Sequence, residues 1–379
     1  MTARWDLFCR VIDNFGDAGI AWRLARELHD EHGLGVTIWI DAPDVLLPLT
    51  GALAIDDPPL VHGIHVRPLA RWRPTDELPT VIVDVLGGSI PRECVEAMHH
   101  ATSPPQWFVL EYLSAEAWVE DRHALPSPHP ATGLPRRFWF PGFTPRTAGL
   151  LRERDLFARR DAFRGDGERQ RALWRALDVE EPRQPALRVS LFSYPEAPVR
   201  ALLQAFSESA CPIACYVPQT AAHNNLVDMA EPPRVGQPMQ RGALVLHVVP
   251  FVPQERYDEL LWACDVNFVR GEDSFVRAQW AARPLVWHIY RQEDDAHLAK
   301  LDAFVNRYAT DLSDAAREGV RMFWDAWNGR TPEPELARGW QRMIAHAGEL
   351  ERHAAAWAAM LARLPEVATT LVQAASSKV

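Results

Sequence analysis

Two Rossmann-like α/β domains are predicted by three features of this sequence. A strand–loop–helix–strand unit opens near residue 5 and recurs near residue 266. In both places the loop after the strand is rich in glycine and carboxylates, Asp13-Asn14-Phe15-Gly16-Asp17 and Arg270-Gly271-Glu272-Asp273-Ser274. The chain is 379 residues long and 47% hydrophobic, too long for one ordinary domain and well supplied for two cores. The expected division is 1–180 and 181–355, with a helix over 356–379 packing back on the first domain.

The first domain begins with WDLFCRVI, residues 5–12, as a strand. After its loop, Ile20, Leu24, Ala25 and Leu28 lie at helical spacing, and Gly33 and Gly35 end that helix before the strand VTIWI. Further strands are expected at 64–66, 81–85 and 107–112, and the clearest, VIVDV, runs into Leu86-Gly87-Gly88-Ser89. The proline- and aromatic-rich stretch 126–145 reads as an ordered loop, and 149–178 as a charged helical region.

The second half restarts the pattern. ALRVSLFSY (186–194) is a strand, 198–209 a helix and PIACYVP a strand. Residues 220–242 read as loop, LVLHVVPF as a strand and 254–264 as a helix. VNFV from Val266 is a buried strand, and a helix with Phe275 and Ala278 on one face leads to the strand LVWHIY. Nearly everything from Ala296 onward is helical, and Trp174, Trp262, Trp280, Trp324 and Trp327 are assigned to the core.

Composition narrows the function. A net charge of −10 and a pI near 5.8 lack the basic face of a general nucleic-acid binder. Five cysteines suggest neither a disulfide framework nor a zinc site, since Cys211 and Cys215 have no second pair of ligands at useful spacing. No signal peptide and no eighteen-residue apolar run is present, so a cytoplasmic protein without membrane contact is expected.

The chemistry is expected at the two loops. Both lie at the carboxyl end of a strand and the amino end of a helix, where an open α/β sheet binds ligands and helix amides attract anions. An anion needs the amides and Arg270; Glu272 and Asp273 are surplus to that task and point to chemistry. Capping is the competing role for Asp273 or Ser274, and equally for Asp17, while a turn-forming role competes for Asp13. The dinucleotide fingerprint G-x-G-x-x-G is absent, because only Gly16 and Gly19 lie in the first loop. No two aspartates are separated by a single residue, so a metal-holding D-x-D pair is missing too. Two facing Rossmann-like domains with a phosphate site in the second describe the GT-B architecture of nucleotide-sugar glycosyltransferases. Without a metal, Arg270, Ser274 and the amides of 271–275 would stabilise a leaving diphosphate.

DNFGDAGIAWRLARELHDEHG, LFSYP at 191–195, VPFVPQERYDELLWACDVNFVRGEDS at 249–274 and the continuation VRAQWAARPLVWHIY resemble the bacterial protein-arginine rhamnosyltransferases of the EarP type. The resemblance extends over nearly the whole chain. It implies inverting transfer of rhamnose from dTDP-β-L-rhamnose to an arginine of elongation factor P, supporting translation of polyproline stretches. No cofactor and no metal is implied. By position, Asp17 matches the family's general base, Asp13 a second functional aspartate and Glu272 the other catalytic carboxylate. Asn14, Phe15, Gly16, Asp17, Tyr194, Gln254, Arg270, Gly271, Glu272, Asp273 and Ser274 match donor contacts, with Phe192 and Tyr257 beside the thymine. Ala282-Arg283 stands where the family pattern has Gly-Lys.

A guanidinium, with a pKa above about 12, cannot be deprotonated in the ground state by a carboxylate near pKa 4. Asp17 is therefore expected to orient the guanidinium first and to take its proton as the C–N bond forms. His288 is expected to be a satisfied buried residue rather than a catalyst. The alternatives are a nucleotide-sugar epimerase of similar two-domain fold and a non-catalytic binding module. Dependence on a protein acceptor separates the transferase from the first, and loss of function without Asp17 and Glu272 from the second.

Overall fold

A computed structural model of the chain describes residues 3–13, 15–52, 60–74, 77–180, 186–219, 226 and 232–377. It divides into two compact units, Met1–Arg154 with Leu361–Val379, and Asp155–Met360.

Among the described residues, the first unit is built on eight strands: β1 (Arg4–Cys9), β2 (Gly35–Ile40), β3 (Leu60–Val61), β4 (Ile64–Pro68), β5 (Val81–Val85), β6 (Gln106–Leu110), β7 (Pro126–Pro128) and β8 (Pro135–Trp139). They lie in the order β3-β4-β2-β1-β5-β6-β8-β7. Only the edge hairpins β3–β4 and β7–β8 are antiparallel. Every residue of β5, VIVDV, is buried, as expected for a central parallel strand covered on both faces. Phe8, Trp39, Ile82, Cys94, Met98 and Trp107 form part of one core on this sheet.

Residues 126–145 are not simply loop. Strand β8 pairs in parallel with β6, and β7 closes that edge. Proline cannot donate to a ladder and reads as loop, yet it is tolerated on edge strands and at strand starts. Pro126 and Pro128 lie on the edge strand β7, and Pro135 opens β8.

Among the described residues, the second unit has six strands: β9 (Leu187–Leu191), β10 (Ile213–Pro218), β11 (Met239–Arg241), β12 (Leu244–Val249), β13 (Val266–Arg270) and β14 (Leu285–His288). Their order is β11-β12-β10-β9-β13-β14, with only β11 antiparallel. The loop expected over 220–242 thus includes β11, while 220–225 and 227–231 lie outside the described residues. Phe268 on β13 meets the rings of Phe206, Phe323 and Trp327 edge-on at 6.2, 5.8 and 5.1 Å. The five tryptophans assigned to the core are buried.

Two segments belong to units other than sequence order suggests. The helices Leu156–Gly165 and Gly167–Ala176 pack in the second unit, where Phe163 meets Trp262 and Phe157 meets Trp280 edge-on. The division thus runs at 154/155 rather than near 180. The final helix, Val367–Ser376, returns to the first unit. There Trp139 Nε1 donates to Thr370 Oγ1 at 3.1 Å, and Gln106 Nε2 to the Ala375 carbonyl at 2.7 Å.

Both sheets share one topology. The first strand lies between the second and a later one, β1 between β2 and β5, and β9 between β10 and β13. Strand order reverses there, and the crevice outside the carboxyl ends of the two diverging strands is the expected ligand position. The two loops singled out in the sequence leave β1 and β13, at that point of each sheet.

Candidate active site

In the second unit, β13 ends at Arg270 and the helix Asp273–Trp280 starts almost at once. The turn requires Gly271, whose φ of 56° lies in the left-handed region. The helix begins two residues before the expected Phe275. Asp273 and Ser274 are its first residues rather than loop, and Glu272 occupies the N-cap position without a capping bond from its side chain. The Ser274 hydroxyl accepts from the Arg270 N–H at 3.0 Å and donates to the Arg270 carbonyl at 2.5 Å. It fastens the helix start to the strand end. Trp287 Nε1 donates to the Gly271 carbonyl at 3.0 Å, fixing the turn from β14.

Side chains of four elements meet around this turn. The Arg270 guanidinium lies over the rings of Phe192 and Tyr194, 4.6 and 4.5 Å from their centroids. Both aromatics follow β9 across the point of strand reversal, and stacking on them holds a planar cation in one orientation. Phe192 in turn meets Tyr257 edge-on at 5.9 Å. Gln254 Nε2 donates to Asp273 Oδ2 at 3.0 Å. Lys300, on the helix Ala296–Tyr308, donates to Glu272 Oε1 at 2.8 Å. Glu272, Asp273 and Ser274 are all buried.

His288 ends β14, and its Nδ1 accepts from the Tyr194 N–H at 3.1 Å, which puts the ring proton on Nε2. Burial, with the charge of Arg270 beside it, pushes the pKa of this imidazole down to about 3. The buried role expected for His288 holds, and it has a structural task, fixing the backbone that carries Tyr194.

In the first unit, Asp17 is the third residue of the helix Phe15–Asp30 rather than part of a loop. Glycines at 16 and 19 suggest loop by propensity, but this first turn needs one of them. A Cβ on Gly16 would lie 2.7 Å from Asp13 Oδ2, and the Gly16 N–H donates to the Asp13 carbonyl at 2.6 Å. The Asp17 carboxylate reaches backwards, Oδ2 accepting from the N–H groups of Ile12 and Asp13 at 2.7 and 2.8 Å. These two amides precede the helix, so Asp17 ties the incoming chain to the first helical turn rather than capping the helix's own amides. It is buried, and Asp13 is half-buried. Phe15 and Gly16 share this turn, whereas Asn14 lies outside the described residues.

The structure therefore gathers Phe192, Tyr194, Gln254, Tyr257 and Arg270 to Ser274 in one unit, and Asp13 with Phe15 to Asp17 in the other. Sequence reasoning missed Lys300. One signal was available: only two of the 40 basic residues are lysines, Lys300 and Lys378. An ammonium is a compact point charge on a flexible stem, unlike the planar guanidinium that this chain otherwise uses.

The family model for "Elongation-Factor P (EF-P) rhamnosyltransferase EarP" matches residues 5–376. The protein-arginine rhamnosyltransferase of Pseudomonas putida is 45% identical over 379 residues, covering 98% of each chain. A solved structure described as "Structural basis for EarP-mediated arginine glycosylation of translation elongation factor EF-P" superposes with a TM-score of 0.68 at 36% identity, covering 98% of each chain. Spinosyn forosaminyltransferase SpnP, 13% identical with a TM-score of 0.52 over 99% of this chain and all of its own, shares the fold alone. The fold is that of the GT-B glycosyltransferases. The chain belongs to the EarP family of elongation factor P rhamnosyltransferases, and its activity is that of a protein-arginine rhamnosyltransferase.

Proposed function

We propose that this enzyme transfers rhamnose from dTDP-β-L-rhamnose to an arginine of elongation factor P, with inversion at the anomeric carbon and without a metal. The observation that carries the donor assignment is Arg270, stacked on Phe192 and Tyr194 beside the start of the helix Asp273–Trp280. A fixed guanidinium beside helix-terminal amides suits a diphosphate whose negative charge grows as the sugar leaves. Phe192 and Tyr257, in ring contact with one another, are the aromatics available to the thymine, and Gln254 and Asp273 are hydrogen-bonded to each other. With Arg270 and the amides available and no D-x-D pair in the sequence, the diphosphate does not depend on a divalent ion.

In the reaction the C1–O bond to the diphosphate breaks, C1–N forms, and one guanidinium proton passes to the Asp17 carboxylate. Asp17 first orients the guanidinium, and Asp13, Phe15 and Gly16 share its turn. Glu272, held by Lys300, is the second catalytic carboxylate. Proton transfer late in the step removes the mismatch between the two pKa values. Intact-mass measurement of elongation factor P after incubation with enzyme and dTDP-β-L-rhamnose tests the proposal. A deoxyhexose increment on arginine, α-linked by NMR and undiminished by EDTA, is expected. An unchanged mass rejects the acceptor or the donor, and a β-linkage rejects inversion.

A further inference from the structure

Four consecutive backbone N–H groups after β1 are taken up by side chains rather than by a neighbouring strand. The Arg10 N–H donates to Ser89 Oγ at 3.1 Å and the Val11 N–H to Asp41 Oδ1 at 2.9 Å. Those of Ile12 and Asp13 go to Asp17 Oδ2. The acceptors come from three places: the residue after β2, the loop after β5, and the helix Phe15–Asp30. Ladder pairing of β1 stops at Cys9, so these bonds carry the chain from the sheet to Asp13.

Ser89 is itself anchored. The N–H groups of Gly88 and Ser89 donate to Asp84 Oδ2 and Oδ1, each at 2.9 Å. Asp84 and Ser89 are buried, while Asp41 is exposed. A cavity of about 570 Å³, lined by Arg10, Asp41, Trp72 and Ser89 among others, opens beside this segment. Beside the cavity, the N–H groups of Arg10 and Val11 are held by these two hydrogen bonds.

We infer that Asp41 and Ser89 are positioning residues for glycosyl transfer, clamping the strand-end amides so that Asp13 and Asp17 keep a single geometry. The inference rests on the catalytic role proposed for that turn. Neither residue needs to touch a substrate. What each supplies is an acceptor oxygen, and a carboxamide can do that as well as a carboxylate.

The test compares Asp41→Ala, Asp41→Asn and Ser89→Ala in the full chain. It uses transfer kinetics with dTDP-β-L-rhamnose and elongation factor P, together with amide hydrogen exchange. Asp41→Ala and Ser89→Ala are expected to lower kcat about tenfold or more, since small misplacements of reacting groups are costly. The KM for the donor should stay within about twofold, and Asp41→Asn should restore most of the rate. Exchange at the amides of 10–13 should rise in the alanine variants and stay unchanged in the helix Phe15–Asp30. Because Asp41 is exposed, its replacement disturbs no core and carries the test if Ser89→Ala misfolds. Wild-type kcat in Asp41→Ala, or an Asp41→Asn variant as slow as Asp41→Ala, overturns the inference. If the wild type transferred nothing, the proposed function would fall, and unchanged exchange at 10–13 would then reject the clamp separately.

Discussion

The backbone N–H of Asp13 donates to the carboxylate of Asp17 at 2.8 Å, so the two aspartates of the first loop form one hydrogen-bonded turn. With the parallel bond from Ile12, a single oxygen of Asp17 organises the path from sheet to helix. The same residue is the proposed base, which joins the structural role to the chemical one.

Asp17→Asn and Asp17→Ala should therefore differ in stability but agree in activity. The asparagine keeps an oxygen for the two amides, whereas alanine strands them at a cost of about 1–3 kcal/mol. Both should lose turnover by about 100-fold or more at saturating substrates, the usual contribution of a positioned base. Urea unfolding and transfer kinetics check the pair, and an Asp17→Asn enzyme retaining most of its turnover sinks the assignment.

Arg270→Lys keeps the charge and loses the planar stack on Phe192 and Tyr194. Affinity for dTDP should fall about tenfold by calorimetry, in keeping with a partly desolvated cation–π contact. Equal affinity would mean that the ring contacts do not orient the guanidinium for the nucleotide.

Lys300 and Glu272 should behave as one unit. Their side chains are only 16% and 11% exposed, so the pair is less screened than a surface ion pair. Lys300→Met is expected to lower kcat about tenfold and to cost about 1 kcal/mol of stability. In a double-mutant cycle with Glu272→Gln, the loss should fall well short of the sum of the singles. Additive losses would show that the lysine serves some other partner.

Ala282 has a φ of 49°, in the region that suits glycine, and it stands where the family resemblance implies a glycine. Left-handed backbone costs a residue with a Cβ roughly 1 kcal/mol. Ala282→Gly should thus raise unfolding stability by up to about 1 kcal/mol without altering activity. A clear destabilisation in urea would contradict the strain.

Burial holds His288 neutral in the folded chain with a pKa of about 3, against an ordinary value of 6.5. Its folded form binds fewer protons than the unfolded chain between those values, so stability is full above pH 6.5 and is lost as pH falls towards 3. His123, His247, His297 and His353 are lowered in the same direction, chiefly by burial. Urea titrations at pH 7.5, 6 and 5 should show a declining midpoint, and His288→Asn should flatten part of the decline. An unchanged slope in that variant would place the dependence elsewhere.

The sequence alone determined the α/β class and the repeated strand–loop–helix unit, and it singled out the two loops proposed to carry the chemistry. Hydrophobic periodicity and glycine placement are local, and Asp13 to Asp17 and Arg270 to Ser274 are contiguous. Proline hid β7 and β8, because sequence shows its missing donor and not whether a strand lies at an edge. Glycine likewise hid the helical first turn at Phe15. Tertiary structure decided the partners: Lys300 meets Glu272 across 28 residues, and Ser89 meets Arg10 across 79. In a parallel sheet, strands adjacent in space are joined by crossovers, so the side chains that meet at the reversal of strand order are distant in sequence. No periodicity records which of them will meet.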